Sequence, residues 1–546
     1  MRDDQLPVTL FRLAVRSHRN GIVATSILSV VLALANAVGY VQLAGTDPQS
    51  RALFAREMEL VGRQLTYLLP VPLQLDTMMG YIHWRVFGAV PLVLGFWAVI
   101  AASGVRGDEE KGLVEQWIVT GLSRARYIVT RVLAFAAVAL FAVAFFILAL
   151  VASTAAAGDP LEVVPTALQG FALWLLTLAC FGVALVAAQL FSTRRAAAGA
   201  AGIVLMALYM LNAAARNDAL AEVQAISPFW LYERNTPMLR GGSLDAPALL
   251  GLIGASVVLA LSAIAAFAGR DMGASVLRQT APTGARTTRP SGDPLLRIAV
   301  LAPLDQQKLW VLGWTLGLAL FAAYLVSLTR LMVDALTAIP QMRAIFEAMG
   351  ASGGYDAFVG GMWGSSALLL LSIFAVATVN GWVGDENDGR LEAALAQPAS
   401  RTRIVLERVA VLTIAAAVIV AVSTAAVAAV AAQQDITLTA ERFATGSGLL
   451  VTVPFALAGL GAVVTSWRPR AAVPVLFVIV ALGYFVQQFT PLFEWPDWVK
   501  FASVFSLYGT PLSSEVDWPG IFALLAIGTG GTIAGVALMQ RRDVGR

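Results

Sequence analysis

The sequence predicts an all-α polytopic membrane protein of twelve transmembrane helices, arranged as two parallel six-helix repeats. Three observations predict it. Of 546 residues, 58% are hydrophobic and only 13% are charged, whereas ordinary soluble proteins carry about 25% charged residues. Twelve apolar stretches have the length of about 20 residues that crosses a bilayer as a helix. Finally, the sequence repeats itself at a shift of 277 positions. The first two observations exclude a soluble enzyme.

The apolar stretches fall into two sets of six. Helices are expected, because backbone groups in hydrocarbon find no water to bond. Residues 5–18 mix apolar and basic side chains, which predicts an interfacial helix before the first span. A secretory signal is not expected, since the first apolar run is too long and Asp3 and Asp4 interrupt its basic leader. The predicted spans are 22–43, 86–105, 132–152, 167–190, 196–215 and 246–268, then 309–328, 362–383, 409–432, 443–467, 471–489 and 521–539.

Charged residues set the orientation and exclude other functions. With both termini cytoplasmic, 26 of the 37 Lys and Arg residues lie on inner segments, as the positive-inside rule requires. The net charge of +3 gives no reason to expect nucleic acid. Cys180, His18 and His83 are isolated, so no disulfide, metal or redox site is predicted. The excess of Arg over Lys suggests a GC-rich bacterial genome, hence the bacterial plasma membrane.

The internal repeat is clearest between spans two and three of each half, where ten of 26 positions match. Because each half has an even number of spans, both halves share one orientation and form a parallel repeat. The predicted halves are residues 1–268 and 298–546, joined by a polar cytoplasmic linker at 269–297. The matched residues in the first half are Gly107, Asp108, Glu109, Gly112, Glu115, Ser123, Arg124, Arg126, Arg131 and Val132, paired with Gly384, Asp385, Glu386, Gly389, Glu392, Ser400, Arg401, Arg403, Arg408 and Val409.

The matching segments lie on the predicted inner face and are longer than neighbouring spans need. Each starts with acidic residues, continues with apolar residues one helical turn apart and exits through Ser-Arg-x-Arg. This pattern predicts one short amphipathic helix at about 107–122 and another at about 384–398. An interfacial helix lying on lipid is the alternative. The recurrence of particular acids in both halves favours docking of a partner instead.

These motifs resemble the ABC-2 type permeases, the membrane subunits of ABC exporters. In that family a Glu-x-x-x-Gly-x-x-Glu run and a Pro-x-Ser-Arg turn form the coupling helix that docks on an ATPase. This chain shows Glu109 to Glu115 followed by Leu122-Ser123-Arg124, and Asp385 to Glu392 followed by Gln397-Pro398-Ala399-Ser400-Arg401. The first copy departs from the pattern, with Gly121 where the family usually has Pro. Two halves in one chain look most like permeases of the tetronasin-type antibiotic exporters.

The resemblance implies the permease subunit of an ATP-driven exporter that moves hydrophobic or amphipathic compounds, such as antibiotics and drugs, out of the cell. Two copies of a separate ABC ATPase would dock beneath it, and ATP and Mg would bind to that partner. This chain itself is expected to bind no cofactor or metal and not to be an enzyme. The candidate docking residues are Glu109, Gly112, Val114, Glu115, Ile118, Arg124 and Arg126, with Glu386, Gly389, Leu391, Glu392, Leu395, Arg401 and Arg403 in the second copy.

The lysines support a separate energy source. A phosphate-binding loop needs Gly-Lys-Ser or Gly-Lys-Thr, and Lys111, Lys308 and Lys500 are not in that context. A twelve-helix secondary transporter of the major facilitator kind is the main alternative. Ion-coupled carriers usually keep carboxylates inside the membrane despite a cost of about 2.5 to 3.5 kcal/mol each, and none of the 34 acids falls within the predicted spans. A membrane scaffold without transport is a third possibility.

The outer side carries two further predictions. Ser-x-Phe-x-Leu-Tyr occurs before spans six and twelve. The family resemblance implies short helices there that close an outer gate, and an aromatic belt at the membrane surface is the alternative. The outer segments 44–85 and 329–361 carry apolar residues at helical spacing, which predicts helices there. These helices are expected either to cap an outer vestibule or to lie passively on the surface. The candidate gate residues are Phe229, Tyr232, Phe505 and Tyr508.

Overall fold

The computed structural model confirms an all-α protein with twelve candidate membrane-spanning helices. Within the residues that it describes, twelve helices are long and apolar enough to cross a membrane, and there is no β-strand. Each of the twelve overlaps one predicted span. The structure describes residues 5–66, 68–216, 221–276, 301–327, 329–330, 333, 355, 358–396, 400–493, 497–501, 503–512 and 514–543.

The chain divides into two compact units, Met1–Ala285 and Arg286–Arg546. The boundary falls inside the predicted linker, of which residues 277–297 lie outside the described part. The first unit contains α1 (Gln5–Ser17), α2 (Arg19–Ala44), α3 (Pro48–Gln64), α4 (Met78–Glu110), α5 (Leu113–Val119), α6 (Arg124–Ala156), α7 (Val163–Leu190), α8 (Arg194–Ala215), α9 (Pro228–Glu233) and α10 (Ala246–Gly269).

The second unit follows a similar order of long and short helices. A π-helical turn, Gly360–Gly364, precedes its second span. The helices are α11 (Leu301–Gln306), α12 (Lys308–Ser327), α13 (Ser365–Asn387), α14 (Arg390–Leu395), α15 (Arg401–Gln433), α16 (Ala440–Leu449), α17 (Thr452–Trp467), α18 (Pro469–Phe493), α19 (Asp497–Lys500), α20 (Val504–Tyr508) and α21 (Trp518–Arg541). The predicted outer segment 329–361 lies mostly outside the described residues.

Each unit has its own buried core. In the first, α4 and α7 are the most enclosed spans, and the rings of Phe135 and Phe181 stack with centroids 4.1 Å apart. In the second, α17 and α21 approach closely at glycines. A Cβ added to Gly459 would lie 2.4 Å from the carbonyl oxygen of Gly528. Packing of small residues thus replaces hydrophobic driving force between these helices, as is usual in membranes.

The helix predicted at residues 5–18 is α1, whose Leu10 and Ala14 are buried while Val8 and Leu13 are exposed. It packs against α6, the third span. His18 joins α1 to α2, and its ring meets Phe135 edge to face at 5.8 Å. These contacts hold the N-terminal helix against the rest of the first unit.

The predicted docking helices need a correction in their bounds. The segment predicted as one helix at 107–122 divides between the last turn of α4 and the seven-residue α5, and the segment at 384–398 divides between α13 and α14. Gly112 and Gly389 cause the break, since their φ angles of +68° and +71° are left-handed and interrupt a right-handed helix. Residues 397–398 lie outside the described part.

Candidate functional site

The short helix α5 has one buried and one exposed face. The side chain of Val114 is fully buried, while Glu115 is exposed and Val119 is 87% exposed. Ile118 is partly buried and packs against the core of the first unit. The following helix begins at a capped residue, because Ser123 Oγ accepts the Arg126 N–H at 3.3 Å. The helix is therefore anchored by apolar side chains on one face, and its exposed face combines polar residues with the apolar side chains of Leu113 and Val119.

The second short helix, α14, is built in the same way. Leu391 is buried, Leu395 packs against the core of the second unit, and Glu392 is exposed. Ser400 Oγ accepts the Arg403 N–H at 3.2 Å and caps α15. The apolar residues one turn apart, which the sequence analysis listed among the docking residues, face the core of their own unit, and the acid faces outward. Their role in docking stays a prediction.

Glu109, predicted as a docking residue, is engaged inside the first unit instead. Its side chain is 1% exposed and its carboxylate binds two arginines: Arg106 Nη1 donates to Oε2 at 2.8 Å, and Arg270 donates to both oxygens at 2.7 and 2.5 Å. The N–H of Gly273 donates to Oε1 at 2.7 Å. We call these four residues the first clasp. It fixes the residues after α10 against the end of α4.

Arg106 extends the first clasp to two more backbone segments. Its guanidinium donates to the carbonyl oxygens of Ser192, Gly273 and Ala274 at 2.9 to 3.0 Å. The first described residues of the linker are therefore held by the end of the second span. Arg106 is 2% exposed, and a buried arginine is stable only while its counterion remains.

Glu386 has an equivalent but more exposed position in the second unit. It forms a two-bonded ion pair with Arg542, whose Nη1 lies 3.1 Å from Oε2 and whose Nη2 contacts Oε1. Arg542 Nη1 also donates to the Thr465 carbonyl oxygen at 3.0 Å. We call Glu386 and Arg542 the second clasp. Both clasps join the end of a second span to the residue directly after a sixth span, because Arg270 follows α10 and Arg542 follows α21.

Arg124 and Arg401 are also used internally. Arg124 Nη1 donates to the Arg270 carbonyl oxygen at 2.7 Å. Arg401 Nη1 donates at 2.7 Å to that of Arg542, in addition to two carbonyls in the last turn of α21. Each arginine neutralises the carboxyl end of a helix, where the exposed carbonyls carry partial negative charge. The start of the third span is thereby tied to the end of the sixth in each unit.

A further pair of residues was matched by the repeat but given no role from sequence. Asp108 Oδ2 forms an ion pair with Arg131 Nη2 at 2.9 Å and accepts a 3.2 Å hydrogen bond from the Tyr127 hydroxyl. The corresponding Asp385 and Arg408 are 3.8 Å apart. In both halves the arginine follows the aspartate by 23 positions, and this shared spacing could have predicted the two contacts from the sequence.

Four of the predicted docking residues, Glu109, Glu386, Arg124 and Arg401, have partners within their own units, because a helix end in a membrane protein must satisfy its charges locally. Their role in docking stays a prediction. The charged residues of the predicted set that are exposed are Glu115, Arg126, Glu392 and Arg403. Arg403 makes one exposed pair with Glu407 at 2.6 Å.

The candidate gate residues lie on two short helices, as predicted. Phe229 and Tyr232 on α9 are buried, and the Tyr232 hydroxyl donates to the Phe87 carbonyl oxygen at 3.1 Å. Phe505 and Tyr508 on α20 are also buried, and the Tyr508 hydroxyl donates to the Gly446 carbonyl oxygen at 2.9 Å. In each unit the aromatic side chains anchor the short helix to neighbouring spans. Their action as a gate stays a prediction.

A buried ion pair near α9 was missed by the sequence analysis. Arg216 forms a two-bonded pair with Glu233, and its Nη1 also donates to the carbonyl oxygens of Thr66 and Leu69 at 2.6 and 3.0 Å. Asn212 donates to Glu233 at 2.8 Å. Burial raises the pKa of Glu233 above its usual range even beside the arginine. The segment after α3 is thus fixed to the outer end of the first unit.

The described residues contain no group of three His, Cys, Asp or Glu side chains that could hold a metal ion. The structure therefore offers no metal centre in that part of the chain.

No curated protein matches the chain. Residues 301–540 match the family model described as "Multidrug efflux system permease Rv1217c, C-terminal domain". The matched range covers most of the second unit, including α14 and Glu386, and ends two residues before Arg542. The twelve apolar helices support a multi-pass membrane protein, and its second unit is similar to that efflux permease domain.

Proposed function

We propose that this chain is the permease subunit of an ATP-driven ABC exporter, in which two copies of a separate ATPase dock on α5 and α14. The observation that carries the proposal is the shared construction of these helices. Each starts at a left-handed glycine, buries an apolar anchor, exposes a glutamate and lies between two long spans. The efflux-permease match over the second unit supports the transport role.

The clasps supply a path from each docking helix to the spans. A displacement of α5 acts on α4 and α6, which flank it within a few residues. Arg124 and the first clasp connect those two spans to the end of α10. In the second unit Arg401 and the second clasp make the same connections to α21. Because buried ion pairs have discrete partners, they transmit motion as rigid links rather than as soft contacts.

The proposed cargo is hydrophobic or amphipathic, and both termini lie on the cytoplasmic side of a bacterial plasma membrane. The first unit has a small apolar pocket beside the spans α4 and α8. Its lining is of the apolar kind that contacts hydrophobic small molecules. Lining residues are Leu92, Gly95, Phe96, Val99, Gly202, Leu205, Met206 and Phe229.

The test is to uncouple the ATPase from transport without unfolding the permease. We expect Glu115→Ala with Glu392→Ala to lower drug-stimulated ATP hydrolysis and export by tenfold or more (about 1.4 kcal/mol per factor of ten), with normal assembly of the membrane protein. The control is Glu162→Ala with Glu441→Ala, two exposed acids on predicted outer connections.

Charge reversal of Arg126 and Arg403 provides a second test at the same surface, since both side chains are exposed. Normal drug-stimulated turnover in the glutamate and arginine variants would contradict docking at these helices. Uphill flux driven by an ion gradient through the purified chain alone would favour the secondary transporter instead.

A further inference from the structure

The two short helices that precede the sixth spans, α9 and α20, share one set of anchors. The serine before each helix, Ser227 or Ser503, caps it and also donates a hydrogen bond to a carbonyl oxygen of the preceding span at 2.8 Å. The tyrosine near the end of each helix, Tyr232 or Tyr508, donates to a carbonyl oxygen of another span at 2.9 to 3.1 Å. These shared anchors are hydrogen bonds between neutral groups.

The helix α9 has a second set of anchors, which are charged. Glu233 forms a two-bonded ion pair with Arg216 and accepts a hydrogen bond from Asn212 at 2.8 Å. The side chains of Arg216 and Glu233 are only 7% and 20% exposed. The next residue, Arg234, donates to Asp245 Oδ2 at 2.6 Å, and this aspartate caps α10. The end of α9 is therefore tied by ion pairs to the end of α8 and to the start of α10.

The second half of the sequence lacks the charges that would make the same ion pairs. At the shift of 276 positions that aligns the two serines, Glu233 falls on Gly509 and Arg216 falls on Leu492. Residues 503–509 read Ser-Val-Phe-Ser-Leu-Tyr-Gly, so no side chain of this segment can form an ion pair. Gly509 has a φ angle of +69° and ends α20. The side chains that hold α20 are therefore all neutral.

This difference in anchoring determines how easily each helix detaches from its neighbours. Either helix must break its neutral hydrogen bonds, but α9 must also separate a largely buried ion pair, which costs more than breaking a neutral bond. Arg216 cannot follow Glu233 outward, because its guanidinium also donates to the carbonyl oxygens of Thr66 and Leu69 at 2.6 and 3.0 Å. Segments of one protein open with different local free energies, so we expect α20 to open more often than α9.

We propose that the two candidate gate helices are not equivalent: α20 is the helix that opens at the predicted outer end of its unit, and α9 is a fixed element. Arg216, Glu233 and Arg234 are positioning residues that hold α9 in place. The use of α20 as the moving gate of an exporter rests on the proposed function. The difference in opening itself does not, because it follows from the anchors within each unit.

The experiment is hydrogen–deuterium exchange of the detergent-purified full chain, measured by mass spectrometry on peptides that cover residues 227–235 and 503–509. In the unmodified chain the amides of 503–509 are expected to exchange at least tenfold faster than those of 227–235, after correction for intrinsic rates. Glu233→Gln is expected to raise the exchange rate of 227–235 by about tenfold or more and to leave 503–509 unchanged. Glu222→Gln is the matched control: this exposed acid lies just before α9, and neither peptide should change.

Two results in the resting chain would overturn the proposal. The first is exchange of 503–509 that is equal to or slower than that of 227–235. The second is an unchanged exchange rate of 227–235 in Glu233→Gln. If that variant fails to fold, Arg234→Gln replaces it. Its pair with Asp245 has side chains 49% and 16% exposed, so a smaller increase confined to 227–235 is expected, and no increase would contradict the proposal.

The same measurement during drug-stimulated turnover with the partner ATPase tests the role of α20 as the moving gate. Exchange is expected to rise further in 503–509 and to stay unchanged in 227–235, and an equal rise in both peptides would contradict this role. A difference between the two peptides in the resting chain supports the inference even when no ATPase binds. This inference and the proposed function therefore fail separately.

Discussion

Replacing Glu109 with Gln tests whether the first clasp stabilises the first unit. The substitution keeps the shape of the side chain but removes the counterion of Arg106 and Arg270. Both arginine side chains are 7% exposed or less, and that of Glu109 is 1% exposed. Breaking a buried pair by removing one partner costs about 3 to 5 kcal/mol, because a charge is left without compensation.

The second clasp gives a comparison within the same molecule. Glu386 and Arg542 have side chains 18% and 21% exposed, so water can solvate the remaining arginine after Glu386→Gln. We expect a cost of about 1 kcal/mol there, in the range of a partly exposed pair. Glu59→Gln is the control, since the pair with Arg63 has side chains 45% and 63% exposed and is expected to contribute nothing measurable.

The assay is reversible unfolding of the full chain from mixed micelles by sodium dodecyl sulfate, followed by tryptophan fluorescence. The expected order of lost stability is Glu109→Gln, then Glu386→Gln, then Glu59→Gln. A Glu109→Gln protein as stable as the unmodified chain would refute the argument. So would a larger loss for Glu386→Gln, because exposure would then not determine the cost.

Two further predictions concern the inner end of the first unit. Burial, with Arg131 nearby, lowers the pKa of His18 from 6.5 to about 4. As the pH falls, the unfolded chain therefore binds a proton before the folded chain does, and the free energy of unfolding decreases between pH 6.5 and 4 by roughly 3 kcal/mol at most. The free energy of unfolding of His18→Gln, measured across this range, should not decrease in this way, and an unchanged pH dependence would contradict the prediction. Gly112→Ala should lower the free energy of unfolding by about 1 kcal/mol, because the φ angle of Gly112 is +68°. Gly104→Ala is the control and should leave it unchanged, because the added Cβ would meet nothing closer than 3.9 Å. Equal melting temperatures of the two variants would show that a left-handed residue is not required at position 112.

Hydrophobic patterning was sufficient to predict the twelve spans, because an apolar run of membrane length has few alternatives to a helix. The one-turn spacing of apolar residues in the short helices predicts two different faces, and Val114 and Leu391 lie on the buried face. The capping roles of Ser123 and Ser400 are likewise local, because the hydroxyl bonds a backbone N–H three residues later. Such features depend on residues close in sequence.

The partners of the acids could not be predicted in this way. Glu109 meets Arg270, 161 positions away, and an acid near a helix end has the same local sequence whether it caps a new helix or binds a distant arginine. The same applies to Arg216 and Glu233, which meet only because α9 folds back against the end of α8. Long-range ion pairs require the packing of the spans to be known first.

The difference between the clasps has a consequence for the proposed cycle. In the first unit the matched charges Asp108, Glu109, Arg124 and Arg131 each have a close partner within the unit, so a displacement of α5 has to move α4, α6 and the start of the linker together. In the second unit Asp385 is shared between Arg390 and Arg408. A shift of α14 by an ångström can therefore exchange one partner for the other at little cost. A docked ATPase would contact a firmly held helix, α5, in the first unit and a helix that can change ion-pair partners, α14, in the second. This asymmetry predicts that single-site docking variants reduce coupled hydrolysis unequally, with Glu115→Ala more harmful than Glu392→Ala; the opposite order would show that α14 is the stiffer element.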